Sequence, residues 1–303
     1  MRIIVITGPT SSGKTKASLN VAENFKKSGQ LAEIINADSI QLYRDLKTLT
    51  AFPSDEQLER IPHHLFGILE PDQSFSAANW KTAAEEKIRE LHRDGKIPII
   101  CGGTGFYINS LIYGLNDIPE IPSEHREKTY QYFLECGREK FFEELKNLDP
   151  ELCQQLHPNN TQRILRAYEV ATFTNKPLSF WWKQTKQPKY EDVQVFVILP
   201  NNLADVIYQN IISMFDNNVI EEIAEFLNRY PNYSGPLDRV IGFQEIKEFL
   251  QTPCSIDELI EKIFIKTRQY AKRQSTWFRN KMNGVKIVES SEEVVQLLSN
   301  PST

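Results

Sequence analysis

The stretch "ITGPTSSGKT", residues 6–15, decides how the rest of the chain is read. It fits G-x-x-x-x-G-K-[ST] through Gly8, Gly13, Lys14 and Thr15. Glycines in this pattern let backbone N–H groups close around phosphate oxygens, and a following helix adds the positive end of its dipole. Lys14 neutralises terminal phosphate charge, and Thr15 offers a hydroxyl to magnesium. The candidate cradle is therefore Gly8, Pro9, Thr10, Ser11, Ser12, Gly13, Lys14 and Thr15. The flanks supply the required context. "IIVITG" is a short apolar, β-branched run that reads as a buried strand, and residues 14–27 read as a helix ended by Ser28–Gly29. ATP or GTP is the default occupant of such a loop. The remaining motifs argue against both.

Working outward, "AEIINADS" reads as a second strand and "KIPIICGG" as a third, with the helix-like "SAANWKTAAEEKIRELHRDG" before it. Alternating strands and helices predict an α/β fold, a parallel sheet with helices on both faces. "VQVFVILP", residues 193–200, is another buried strand, reached only after a long helical stretch. That stretch opens with the Pro-punctuated "LNDIPEIPSEHREK" and continues with two helix patterns. The expected organisation is a P-loop NTPase-like catalytic core, residues 1–115 and 193–303, interrupted by an α-helical insertion, residues 116–192. Trp181 and Trp182 are expected to serve mainly the insertion's own small core. Helices are expected near 203–229, 242–250 and 256–281. On the last, Ile263, Phe264, Tyr270, Ala271, Trp277 and Phe278 share a broad apolar face. Lys262, Lys266 and Arg273 fall on one flank of it, and Arg268, Lys272 and Arg279 on the other.

Composition excludes several classes. The 303 residues carry a net charge of −5, which does not mark a general nucleic-acid binder. The average conceals residues 262–286, with eight Lys or Arg and no Asp or Glu. Local rather than total charge marks a phosphate-backbone site. No run of about 18 apolar residues occurs, so no membrane span is expected. The N-terminal residues run straight into a strand, and no signal peptide is expected. Four cysteines without C-x-x-C spacing read as reduced thiols, and a cytoplasmic location is expected. The His63–His64 pair reads as structural, because sequence neighbours point different ways.

Three further motifs carry chemistry. "NADSIQLYRDL", residues 36–46, delivers Asp38, Ser39, Ile40 and Gln41 at the end of a strand, where such sheets bind ligands. Asp38 could order magnesium as in an NTPase, act as a general base, or cap a helix. "GGTGFY", residues 102–107, follows the third strand, and its glycines permit close backbone approach around Thr104. In "LHPNNTQRILRAYEV", Gln162, Arg163 and Arg166 fall within one helical turn, able to reach a single polyanion. "PLDRVIGFQEI" presents Arg239 before a helix. A guanine-reading N-K-x-D and an identifiable adenine-clamping arginine lid are both missing.

Together, "GPTSSGKT", "NADSIQLYRDL", "GGTGFY", "HPNNTQRILRAYEV" and "IGFQEI…TRQYAKRQSTWFR" resemble the bacterial-type tRNA dimethylallyltransferases, in order and over residues 6–279. The resemblance implies that the loop holds the diphosphate of dimethylallyl diphosphate, with magnesium as cofactor. It implies transfer of the allyl group to the exocyclic amine of the adenosine immediately 3′ of the anticodon, flipped out of the tRNA anticodon stem-loop. By the same resemblance, Asp38 is the base, Thr104 lines the channel beside the amine, and Arg239 offsets charge on the leaving diphosphate. Ser39, Ile40 and Gln41 hold the flipped base. Arg126, Gln162, Arg163, Ile164, Leu165 and Arg166 contact tRNA, as do Lys266, Arg268, Lys272 and Arg273. A monomer, free of membranes, is expected. One departure is Phe52, which stands where the family usually has Lys or Arg. Two other readings remain: a small-molecule or nucleotide kinase, which needs ATP, and a non-catalytic RNA-binding protein.

Overall fold

Apolar, β-branched runs long enough to cross a sheet, each followed by a glycine or polar loop, set the frame. The computed structural model describes residues 2–184, 188–282 and 284–299. It divides into two compact units, Met1–Ile112 with Lys189–Thr303, and Tyr113–Pro188.

The first unit begins with β1 (Ile3–Thr7), α1 (Lys14–Lys27), β2 (Ala32–Asn36), α2 (Asp55–Arg60), β3 (His63–His64), α3 (Ala77–Arg93), β4 (Ile97–Gly102) and α4 (Gly105–Tyr113). The second contains α5 (Ser123–Leu148), α6 (Pro150–Cys153), α7 (Thr161–Thr174) and α8 (Leu178–Trp182). The chain then resumes the first unit with β5 (Val193–Ile198), α9 (Leu203–Asp216), α10 (Val219–Arg229), a 3-10 turn (Pro236–Arg239), α11 (Phe243–Gln251), α12 (Ile256–Lys281), β6 (Lys286–Val288) and α13 (Ser291–Ser299). The chain leaves the first unit at Ile112 and returns at Lys189, whose N–H donates to the Ile112 carbonyl at 2.8 Å.

The strands form one parallel sheet in the order β3-β2-β4-β1-β5-β6. Every residue of β1 and β2 is buried, the pattern of strands covered on both faces. Because all six run the same way, the loops after β1, β2 and β4 leave from one edge. β4 lies between β2 and β1, so these loops are neighbours. On one side the core combines Ile4, Ile6, Ile34, Ile99, Phe196 and Ile198 with Ala17, Leu19 and Phe25 of α1.

Three elements differ from expectation. The helix expected over 203–229 is two helices, because Asn218 adopts φ 59°, ψ 39°, a left-handed conformation that asparagine tolerates and a continuing helix does not. β3 and β6, two and three residues long, are too short to leave a periodic signal. The His63–His64 pair proves to be β3: His64 Nε2 lies 2.6 Å from the Glu33 carboxylate and His63 Nδ1 2.7 Å from the Ile61 carbonyl.

The helical unit has its own core of Phe141, Phe142, Leu145, Ile164, Ala167, Val170, Leu178 and Trp181. Trp182 remains exposed.

Candidate active site

The phosphate loop turns sharply from β1 into α1. Gly13 caps the helix at φ 84° with no side-chain cap bond, and the first turn contains no acidic residue. The helix N-terminus therefore keeps its donors and its positive field for an anion. The Ser12 hydroxyl is buried and has no hydrogen-bond partner among the described residues, a polar group that a ligand oxygen would satisfy. A β-carbon at Gly8 would stand 2.5 Å from the Ile198 carbonyl and 2.6 Å from Ser12 Oγ, so only glycine fits there. Lys14 Nζ donates to the Pro9 carbonyl at 3.1 Å, across the loop mouth.

Asp38 is held from below. Its N–H donates to Asn36 Oδ1 at 2.7 Å, and Asn36 Nδ2 donates back to the Asp38 carbonyl at 2.9 Å and to the Leu65 carbonyl at 2.9 Å. Asp38 Oδ1 accepts from the Ile40 N–H at 3.1 Å. The glycine loop closes over it. Thr104 N–H donates to the Ala37 carbonyl at 3.0 Å, while its hydroxyl accepts from Ser39 N–H at 3.0 Å and donates to Ser39 Oγ at 3.3 Å. A β-carbon at Gly102 would sit 2.1 Å from Ala37, so the two loops touch backbone to backbone. One at Gly103 would stand 2.9 Å from Gln274 Nε2, 3.4 Å from Asp38 Oδ2 and 3.6 Å from the Gly8 carbonyl. The three loops thus meet around Gly103, with the Asp38 carboxylate among its neighbours. The Gln41 amide is engaged by another segment, its Nε2 donating to the Thr50 and Ala51 carbonyls at 3.0 and 2.8 Å.

The field of Asp38 reaches its neighbours. Burial first and then the charges of Tyr43 and Asp38 push the Tyr107 hydroxyl up to about 12. Tyr270 of α12 is pushed up to about 12 by desolvation and by Asp38, with Arg273 opposing, although the residue as a whole is 41% exposed. Burial raises the Cys101 thiol; the Ser18 hydrogen bond and Lys14 oppose this, and Asp38 adds to it.

Other expected residues lie elsewhere. Arg239 ends the 3-10 turn with its side chain 81% exposed and 3.9 Å from Asp238; among the described residues it makes no hydrogen bond to the phosphate loop. Ile164 corrects the expected nucleic-acid contact set: its side chain is 0% exposed in the helical unit's core, and Leu165 packs against that core. The helical period that exposes Gln162 and Arg163 turns Ile164 inward. Arg166 sits 3.4 Å from Glu169, and Arg126 is exposed on α5. On α12, Ile263, Ala271 and Phe278 are buried, Phe264 and Trp277 half-buried and Tyr270 exposed, a narrower apolar face than expected. Arg268, Lys272 and Arg273 are exposed. Lys266 differs: it is bonded to the carboxylate of buried Glu245 on α11. Phe52 packs edge-on against Phe66, with the Lys47 ammonium 5.3 Å from its ring centre.

Sequence reasoning missed Gln274, Tyr270 and Trp277 as neighbours of the loops. For Gln274 a signal existed: it follows Ala271 by three residues and precedes Phe278 by four, a polar residue on the buried stripe of its helix. Among the described residues no group of three or more His, Cys, Asp or Glu could hold a metal, and no helix is long and apolar enough to cross a membrane.

A parallel sheet with a glycine-rich loop after β1 and an acidic loop beside it defines an α/β protein with a candidate anion cradle at one sheet edge. The family model described as IPP transferase matches residues 41–281, and the one described as Isopentenyl transferase matches residues 1–66. The tRNA dimethylallyltransferase of Thermoanaerobacter sp. (strain X514) is 40% identical over 92% of this chain and 89% of its own. That of Pelagibacter ubique is 38% identical over 93% and 89%. The crystal structure of tRNA delta(2)-isopentenylpyrophosphate transferase from Staphylococcus epidermidis aligns with a TM-score of 0.67 at 34% identity, covering 99% of this chain and 97% of that one. A eukaryotic dimethylallyltransferase acting on tRNA aligns with a TM-score of 0.82 at 25% identity, covering 99% and 76%. The chain belongs to the IPP transferase family. The kinase alternative does not fit these relatives.

Proposed function

We propose that the chain is a tRNA dimethylallyltransferase that moves the allyl group of dimethylallyl diphosphate to the exocyclic amine of the adenosine immediately 3′ of the anticodon. The observation that carries this is the convergence of the phosphate loop, the glycine loop and Asp38 within a few ångströms, at Gly8, Gly103 and Asp38 Oδ2. An amine flipped from the anticodon loop meets C1 of the allyl group beside Asp38. The N–C1 bond forms as the C1–O bond breaks, the electron pair leaves on the diphosphate, and the amine proton passes to the Asp38 carboxylate. Ser39 and Thr104, bonded to each other, line the approach of the base. The α1 amides, Ser12 Oγ and Lys14 receive the diphosphate and the charge that grows on it. Arg239 joins them only by swinging in from solvent.

The loop also suits magnesium. Thr15, in the first turn of α1, would offer the ion a hydroxyl, and the diphosphate its anionic oxygens. Bound there, the ion would neutralise charge on the leaving group. Exposed Arg126, Gln162 and Arg163 of the helical unit, with Arg166, and Arg268, Lys272 and Arg273 of α12, would grip tRNA phosphates. The same reading places the enzyme in the cytoplasm with its tRNA.

The test is incubation with dimethylallyl diphosphate, magnesium and unmodified tRNA, followed by nucleoside mass spectrometry. The expected product is N6-(dimethylallyl)adenosine without any ATP. ATP consumption with unmodified nucleosides would overturn the reading.

A further inference from the structure

Helix α12 carries cations outward and one carboxamide inward. The Oε1 of Gln274 accepts from the Thr10 N–H of the phosphate loop at 2.9 Å, and its Nε2 donates to the Gly103 carbonyl of the glycine loop at 3.0 Å. A backbone N–H at one end and a backbone C=O at the other leave the amide a single orientation. Among uncharged side chains of this length, only one with a donor and an acceptor on the same planar head meets both. These bonds join residues 264 and 171 positions apart, and they link the two loops at Gly103, where Asp38 Oδ2 is also a neighbour.

The support of the amide is rigid. Ala271 and Phe278 of α12 are each 1% exposed. Trp277 packs so closely on Gly105 that a β-carbon there would lie 2.1 Å from its ring. The helix is therefore fixed to the glycine loop at a second point, one turn beyond Gln274. Gln274 also settles the direction of one phosphate-loop donor: the Thr10 N–H is turned to the helix and withheld from the anion.

We propose that Gln274 is a positioning residue that fixes the separation between the phosphate loop and the glycine loop, and with it the distance from the diphosphate cradle to Asp38. The inference rests on the transferase reading above and adds to it the residue that holds the two halves of the site in register. A displacement of about 1 Å between reacting groups costs on the order of 100-fold in rate. Gln274 touches neither reacting atom; its effect passes through the two loops.

The experiment compares the full-length wild type with Gln274→Met, of similar length and without hydrogen bonds, and Gln274→Glu. Amide hydrogen exchange at Thr10, tRNA affinity, melting temperature and single-turnover rate at saturating dimethylallyl diphosphate and tRNA are measured. Gln274→Met is expected to speed exchange at Thr10 and slow the saturated rate by about 10–100-fold, with tRNA affinity within about threefold. Gln274→Glu supplies its own rescue. Its neutral acid form offers an O–H to the Gly103 carbonyl and a C=O to the Thr10 N–H, as the amide does. Its rate relative to wild type should climb about tenfold from about pH 8 to about pH 6, as the Asp38 carboxylate nearby and partial burial favour the protonated form. The same ratio for Gln274→Met should stay flat.

A Gln274→Met rate within about threefold of wild type would overturn the proposal. So would unchanged exchange at Thr10, a flat pH ratio for Gln274→Glu, or a rate loss explained by the unfolded fraction alone. Failure of the wild type to modify tRNA would instead sink the transferase reading, and Thr10 exchange would still decide whether the clamp exists.

Discussion

Replacing Asp38 with asparagine isolates proton transfer from everything else the residue does. The backbone at this position is fixed by the two-way bonding to Asn36, at 2.7 and 2.9 Å, which the substitution leaves untouched. Asparagine Oδ1 can keep the 3.1 Å bond from the Ile40 N–H, so the loop retains its shape. What disappears is the ability of Oδ2 to take a proton. Loss of a general base costs about 10²–10⁴-fold. At about 1.36 kcal/mol per tenfold, the barrier should rise by about 2.7–5.4 kcal/mol. Affinity for tRNA should stay within about threefold, because phosphate contacts supply most of it. Rapid-quench single turnover with both substrates saturating gives the first quantity, and filter binding the second. A rate within threefold of wild type would remove Asp38 as the base. An affinity loss as large as the rate loss would make it a binding group instead.

Other perturbations test other parts of the structure. Gly105→Ala forces a methyl to within 2.1 Å of the Trp277 ring and should destabilise the protein by about 1–3 kcal/mol; an unchanged denaturation midpoint would show that α12 yields there. Lys266→Met strips the ammonium from Glu245, whose side chain is 6% exposed, and should cost about 1–3 kcal/mol near neutrality. Burial alone would raise the Glu245 carboxyl, but the bonds from Lys266 and from the Gly242 N–H outweigh it and hold it below its ordinary 4.5. A depressed carboxylate stabilises the fold above that ordinary value and loses its contribution as pH falls through the folded one. The gap between wild type and Lys266→Met should therefore close in acid, and a gap independent of pH would refute the pairing. Changing Arg268, Lys272 and Arg273 together to glutamine should flatten the log–log salt dependence of tRNA binding by about 0.7–0.9 per lost contact, similarly for substrate and non-substrate tRNAs. An unchanged slope would make that flank a solvated surface.

The sequence disclosed the strand-end loops because each is contiguous. A buried strand followed at once by "GPTSSGKT", by "ADS" or by "GGTG" places its functional group within a few residues of the sheet edge. Parallel strands then do the assembling, since β2, β4 and β1 are neighbours and open the same way. What stayed hidden depends on partners far along the chain. The "KTRQYAKRQ" run shows its charges but not that Lys266 is bonded to Glu245, 21 residues earlier on another helix. A Gln among cations reads as one more polar surface residue until α12 is seen lying against Thr10 and Gly103. Ile164 and Leu165 show the opposite failure, in which a contiguous motif mixes outward and inward positions of one helix. The break at Asn218 turns on one backbone angle that the apolar pattern around it does not record.

The 2.8 Å bond between Lys189 N–H and the Ile112 carbonyl draws the two ends of the inserted chain into a closed neck. Strands β4 and β5, from either side of that neck, both register on β1, Ile4 opposite Ile99 and opposite Gln194. The sheet is thus stitched shut across the insertion by bonds that involve none of its residues. Loop-closure entropy rises only by about 0.6 kcal/mol for each doubling of length, so the sheet is nearly indifferent to what hangs from the neck. The helical unit can lengthen, shorten or change its surface while the pairings of β4 and β5 on β1 stay closed. In this architecture the inserted unit and the sheet that carries it are free to change at different rates.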